Sequence, residues 1–141
     1  DLKPCFACNV CKKNGGICIK DRASAVLMEK VLNSDAILLA TPVYWWGVSA
    51  QLKIAIDKFY SKSDIMGEMK KKIILVTVGA APVDDPQYEL IRKQIEFICS
   101  HSNWELIGHV KASAFKADDL ASNPEILDKI DLEGQKLAYF L

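Results

Sequence analysis

Four cysteines fall within the stretch CFACNVCKKNGGIC (5–18), spaced C-x2-C-x2-C-x6-C. Cys5, Cys8 and Cys11 step by three, which lets their thiolates wrap one corner of a cubane iron–sulfur cluster. Gly15-Gly16 then lets the chain swing Cys18 round to the remaining iron. Zinc knuckles and ribbons usually pair two C-x2-C turns across a longer gap. The spacing therefore stands nearer to ferredoxins than to zinc sites, while zinc, a disulfide or no metal stay open as alternatives.

A second group of residues suited to chemistry follows an apolar run. TPVYWWGVS (41–49) places Tyr44, Trp45 and Trp46 together where a connection should be mostly polar, with Pro42 fixing the turn and Gly47 releasing it. GAAP (79–82) follows another apolar run and offers almost no side chain, so a backbone can approach a ligand closely there. Ligands of open α/β sheets bind beyond the carboxyl ends of the strands. An aromatic end beside a bare one makes a slot for a planar ring, although the tryptophans would equally pack on a helix or a partner. Lys53 and Asp57 read as a solvated surface pair. His101 and His109 are isolated, and Cys99 lies on an apolar helical face as a small core residue.

The elements that must position these groups alternate. DAILLA (35–40) and KIILVTVG (72–79) are apolar on both faces, as expected of central parallel strands covered by helices on either side. ELIGHVKASAF (105–115) alternates, with Leu106, Val110, Ala112 and Ala114 on one face, which predicts a strand nearer the edge. Helical stripes run through Leu27, Met28, Val31 and Leu32, with Asp21 or Ser24 as cap, and through Leu52, Ala55, Ile56 and Phe59 after Ser49. Two more follow Asp85-Pro86 (Tyr88, Ile91, Ile95, Ile98, Cys99) and Asn123-Pro124 (Ile126, Leu127, Ile130, Leu137, Ala138). The order predicts an α/β doubly wound parallel sheet with helices on both faces, in one domain over 1–141. Three strands are few for such a sheet, and the opening DLK resembles the tail of a strand. An N-terminal strand–loop–helix unit is therefore expected to be missing from this chain.

The 141 residues carry eighteen basic and eighteen acidic side chains. That balance makes no case for nucleic acid or anionic lipid as a partner, and no apolar stretch is long enough to span a bilayer. Five cysteines, four of them bunched, fit a secreted disulfide framework poorly, so a reducing cytoplasm is expected.

PCFACNVCKKNGGICIKD, then SDAILLATPVYWWGVSAQLKIAIDKFY, then TVGAAP, and finally GHVKASAF and ASNPEILDKIDLEGQKLA resemble the NADPH-dependent FMN reductase and iron–sulfur flavoprotein family. The resemblance implies a flavodoxin-like fold and an FMN-dependent oxidoreductase, usually dimeric. It would take electrons from NAD(P)H or a reduced carrier to a small acceptor or a redox protein partner. By the same resemblance Pro42, Val43, Tyr44 and Trp45 line the flavin ring, with Gly79 and Ala80 on its other edge. Cys5, Cys8, Cys11 and Cys18 match the family's compact motif for a [4Fe–4S] cluster. This chain departs in having Asp21-Arg22 where two acids are common, and Lys58 in place of an arginine. It also has no Ser/Thr-rich loop for the FMN phosphate. Rival readings are a flavodoxin-type electron carrier and a zinc-stabilised interaction domain.

Overall fold

A computed structural model describes residues 1–116 and 118–139. Its centre is a sheet of three parallel strands: β1 (Ala36–Tyr44), β3 (Lys72–Gly79) and β4 (Glu105–Ser113). A short β2 (Gly47–Val48) folds back antiparallel on the end of β1, giving the order β2-β1-β3-β4. The helices are α1 (Ala23–Asn33), α2 (Ala50–Asp57), α3 (Ser63–Met66), α4 (Pro86–His101), α5 (Asp118–Ala121) and α6 (Pro124–Tyr139). Short 3₁₀ turns lie at Val10–Lys13 and Lys58–Lys62.

The caps behave as their residue types dictate. Ser49 Oγ accepts from Leu52 N–H at the start of α2, Asp85 accepts from Gln87 N–H at α4, and Asn123 accepts from Ile126 N–H at α6. At α1 the expectation changes. Neither Asp21 nor Ser24 caps it by side chain, because the Asp21 carboxylate is engaged elsewhere and Ser24 Oγ donates to Asp21 C=O.

The two sheet faces differ. On one, Ile73 and Leu75 meet Met28 and Val31 of α1, Ile56 of α2, Met66 of α3 and Ile91, Ile95 and Cys99 of α4. On the other, Ile74, Val76 and Val110 meet Ile130 and Leu137 of α6. Helices on both faces confirm the doubly wound reading, with one correction. β1 is not covered on both sides, since Leu38 is 48% exposed and Ala40 is exposed. Helix α6 packs on β3 and β4, leaving that face of β1 open among the described residues.

β4 corrects the simple alternation. A register irregularity pairs Ile73 with Leu106 and Ile74 with Gly108, so Ile107 is an extra residue. It turns Leu106 towards the larger core and Val110 towards the α6 side, whereas unbroken alternation puts them on one face.

Candidate functional site

The aromatic segment is not a loop that begins where the apolar run ends. β1 continues through Thr41, Pro42, Val43 and Tyr44, with Thr41 paired to Thr77 and Pro42 to Val78 of β3. Pro42 is tolerated there because, among the described residues, it pairs with Val78 of β3 and with no residue of β2. The chain then reverses in two residues. Trp45 and Trp46 both take left-handed backbone angles, φ 51 and 61, while Val43 pairs with Val48 and Tyr44 with Gly47. These are the angles of a tight hairpin turn that Asn-Gly normally occupies, and bulky side chains adopt them at a cost. Thr41 Oγ1 braces the hairpin: it accepts from Ser49 N–H at 3.0 Å and donates to Pro42 C=O at 2.8 Å.

The turn holds its aromatics out. Trp45 is 92% exposed and meets Trp46 edge-on, ring centres 5.7 Å apart. Pro42, Tyr44 and Ala80 are also exposed. Val43 faces the opposite way, against the larger core and Gly79. A Cβ at Gly79 would lie 3.2 Å from Val43 Cβ and 2.9 Å from Tyr88 Oη, so Gly79 is bare to admit those neighbours. Its carbonyl accepts from Ala114 N–H at 2.8 Å. Of the six residues expected around a ring, Pro42, Tyr44, Trp45 and Ala80 are thus open to solvent, while Val43 and Gly79 turn inward and pack against each other.

Tyr88 does more than its place in an apolar helical stripe predicts. It is fully buried, and its hydroxyl lies 2.7 Å from Ala81 C=O and 3.2 Å from Ala112 C=O, joining the 79–82 loop to the end of β4. Burial, reinforced by the Asp85 charge, pushes its phenol pKa up and keeps it a donor. A lone tyrosine in an aliphatic stripe is the available signal, because a buried hydroxyl needs a partner.

Cys5, Cys8, Cys11 and Cys18 line one small recess with Ala7, Asn9 and Tyr60, and all are free thiols. Ala7 and Asn9 turn the chain with left-handed angles, and Ala7 N–H donates to Cys5 Sγ at 3.5 Å. Yet among the described residues no three His, Cys, Asp or Glu side chains stand close enough to share a metal ion. The donors suit a soft metal in kind; their present spacing does not close a coordination shell.

The loop is fastened to residues 58–64. Tyr60 Oη donates to Asn9 Oδ1 at 3.0 Å, Lys62 Nζ to Gly15 C=O at 2.7 Å, and Lys12 Nζ to Ser63 Oγ and Asp64 Oδ2 at 2.7 and 3.0 Å. Beneath them Lys58 Nζ lies 2.8 Å from Asp21 Oδ2, both side chains almost wholly buried. Burial alone would raise the Asp21 pKa, but hydrogen bonds from Lys58 and Lys3 and the Lys58 charge outweigh it and hold the carboxyl low. Lys53–Asp57 is an exposed ion pair at 2.5 Å, as expected of a surface pair. Cys99 is buried, its thiol pushed up to about 11 by burial and then by Glu96. His109, read as too isolated for a catalytic arrangement, shares a 2.8 Å hydrogen bond with Thr77 Oγ1 across β3 and β4.

Known proteins bear on this arrangement. The family model described as NADPH-dependent FMN reductase matches residues 1–92. An iron–sulfur flavoprotein of Methanocaldococcus jannaschii is 45% identical over 58 residues, which are 41% of this chain and 30% of that protein. The chain's match therefore spans less than a third of that relative's length. A flavodoxin, WrbA-like protein from Agrobacterium tumefaciens superposes with TM-score 0.63 at 18% identity, over 77% of this chain and 66% of that one. An azoreductase from Bacillus anthracis str. Sterne gives 0.65 at 15% identity, over 97% and 76%. The two structures share the flavodoxin-like α/β fold. With its parallel strand ends, aromatic turn and the match over residues 1–92, this chain belongs to the NADPH-dependent FMN reductase family.

Proposed function

We propose that this chain acts in FMN-dependent oxidoreduction, moving electrons from NAD(P)H or a reduced carrier to a small acceptor. The observation that supports this most is an exposed aromatic turn beside a loop of small residues at neighbouring ends of parallel strands, in a chain of this family. That is where open α/β sheets bind ligands. When bound there, FMN supplies the hydride and electron chemistry itself. The chain supplies position. Thr41 braces the hairpin, Tyr88 fixes the 79–82 loop, and Val43 against Gly79 sets how closely the two strand ends approach. Exposed faces of Tyr44, Trp45 and Trp46 offer stacking surfaces for a ring. No side chain is assigned as acid or base.

We read the four loop cysteines as ligands of a [4Fe–4S] cluster, which supplies single-electron chemistry when present. Their spacing, their common recess and the name of the Methanocaldococcus relative support this. We read the protein as a homodimer or higher homo-oligomer too, because exposed Phe97 and Tyr60 line one apolar groove with Phe59 and Ile98, as surfaces covered by a second copy do.

Purification without air, followed by a visible spectrum, tests these readings. Structured flavin bands over a broad thiolate-to-iron shoulder are expected. Flavin bands alone would remove the cluster and keep the flavin. A colourless protein that takes up no added FMN would remove the redox reading altogether. NAD(P)H oxidation with FMN and an added acceptor then separates an enzyme, which turns over, from a carrier that waits for a protein donor.

A further inference from the structure

We propose that Asp21 and Lys58 are an outer positioning pair for the four-thiol site, holding both stems of the cysteine loop together whether or not metal is bound. The proposal rests on the reading of those thiols as metal ligands. Asp21 Oδ2 accepts from Lys3 N–H at 3.0 Å and lies 2.8 Å from Lys58 Nζ. Lys3 stands just before Cys5 and Asp21 just after Cys18. One carboxylate oxygen therefore closes the segment that carries all four thiols, and Lys58 pins that closure to the turn after α2.

The other fastenings are of a different kind. Tyr60 to Asn9, Lys62 to Gly15 and Lys12 to Asp64 are solvent-exposed contacts, individually weak, and Lys12 to Ser63 is only partly buried. Asp21 and Lys58 have side chains only 3% exposed. The Lys58 ammonium is buried, and among the described residues it meets no acceptor beyond that carboxylate. Such an arrangement is a poor choice for stability alone, since apolar replacements of buried ion pairs are often neutral or better. It makes sense if the loop gathers negative charge, as metal-bound thiolates do, and must be held in place to receive it. The same helix links the two candidate sites: α2 is capped at its start by Ser49, which Thr41 braces, and at its end by Lys58.

Cysteine labelling supplies a test with a built-in control. The reduced, metal-free protein is treated with iodoacetamide, and each cysteine's rate is followed by mass spectrometry. In Lys58→Met the half-buried Cys11 and Cys18 are expected to label about tenfold faster or more, a local opening, while Cys99 in the core keeps its wild-type rate. Lys58→Arg should restore slow labelling. Asp21→Asn/Lys58→Met removes both charges together; it should label as fast as Lys58→Met, and it carries the test if the single variant does not fold. Cobalt(II) alone, titrated into the same proteins and read by its thiolate charge-transfer band, should bind Lys58→Met about ten- to a hundredfold more weakly than wild type. Unchanged labelling and cobalt affinity would overturn the proposal. So would Cys99 accelerating together with the loop, which would make the pair a general stabiliser. If the wild type binds no cobalt, the metal reading fails, and the labelling rates alone decide whether the pair holds the loop.

Discussion

The aromatic turn and the cysteine loop are held by different means. At the strand ends, position comes from the backbone: β1 is in register with β3 as far as Pro42, the hairpin closes through Val43 and Tyr44, and Tyr88 ties in the neighbouring loop. The cysteine loop has no ladder. Its regular structure is a single 3₁₀ turn, and among the described residues each of its hydrogen bonds to residues 58–64 uses at least one side chain. A ladder leaves few arrangements, which suits a slot for a rigid ring. Side-chain fastenings leave the backbone room to adjust, which suits the proposed metal-ligand role of four thiols that do not now stand close enough to share an ion.

That contrast can be broken most forcefully at Lys58. Lys58→Met leaves the Asp21 carboxylate buried without its cation, and opening of the cysteine loop relieves it, so loop labelling should rise about tenfold or more while the urea midpoint of the whole domain stays close to wild type. A midpoint that falls together with the rise in loop labelling would show that the pair is not the fastening described.

Acid should separate the regions by pH. Burial, then the charges of Lys111 and Arg92 against a weaker opposing Glu89, bring the His109 pKa from 6.5 down to about 4. The folded state refuses a proton that the unfolded chain accepts. Stability should therefore fall between pH 6.5 and about 4, by up to about 3 kcal/mol before solvent screening. His109→Gln should flatten that slope in unfolding measured against pH. Asp21 acts lower. Its depressed folded pKa adds stability that is complete above the ordinary aspartate value, about 3.9, and is lost as pH falls through the folded value. Amide exchange in the cysteine loop, corrected for the intrinsic rate at each pH, should therefore stay protected while the His109 loss develops.

Gly79→Ala tests the strand ends alone. The added methyl would meet Val43 and Tyr88 Oη, costing about 1–3 kcal/mol and weakening FMN uptake, while labelling of Cys11 and Cys18 stays unchanged. The smallest effect is a gain. Trp45→Asn with Trp46→Gly puts favoured residues at the two left-handed positions and should raise stability by about 1 kcal/mol, while FMN binding falls. A stabilised turn that binds FMN normally would show that the tryptophans are not ligand surfaces.

The legible parts of this molecule are those whose signal is local. Asp85-Pro86 and Ser49 announce helix starts because capping is settled within a few residues, and the apolar run at 72–79 announces a buried strand because both its faces are covered. The hairpin is not legible. A two-residue turn normally advertises itself with Gly or Asn, and Trp-Trp hides it. Nor is the irregularity at Ile107, which breaks no composition rule yet reverses the faces of β4. At the candidate sites the residue types are visible in the sequence, but their partners are not. Asp21 and Lys58 stand far apart in the chain, and only packing shows that one carboxylate closes a loop.

Amide hydrogen exchange with and without FMN tests the central assignment most directly. The account predicts that added FMN slows exchange at 41–49 and 79–82, the two adjoining strand ends, and leaves 103–105 at the opposite end of the sheet unchanged. Saturating FMN that protects neither segment, or protects 103–105 instead, would contradict it.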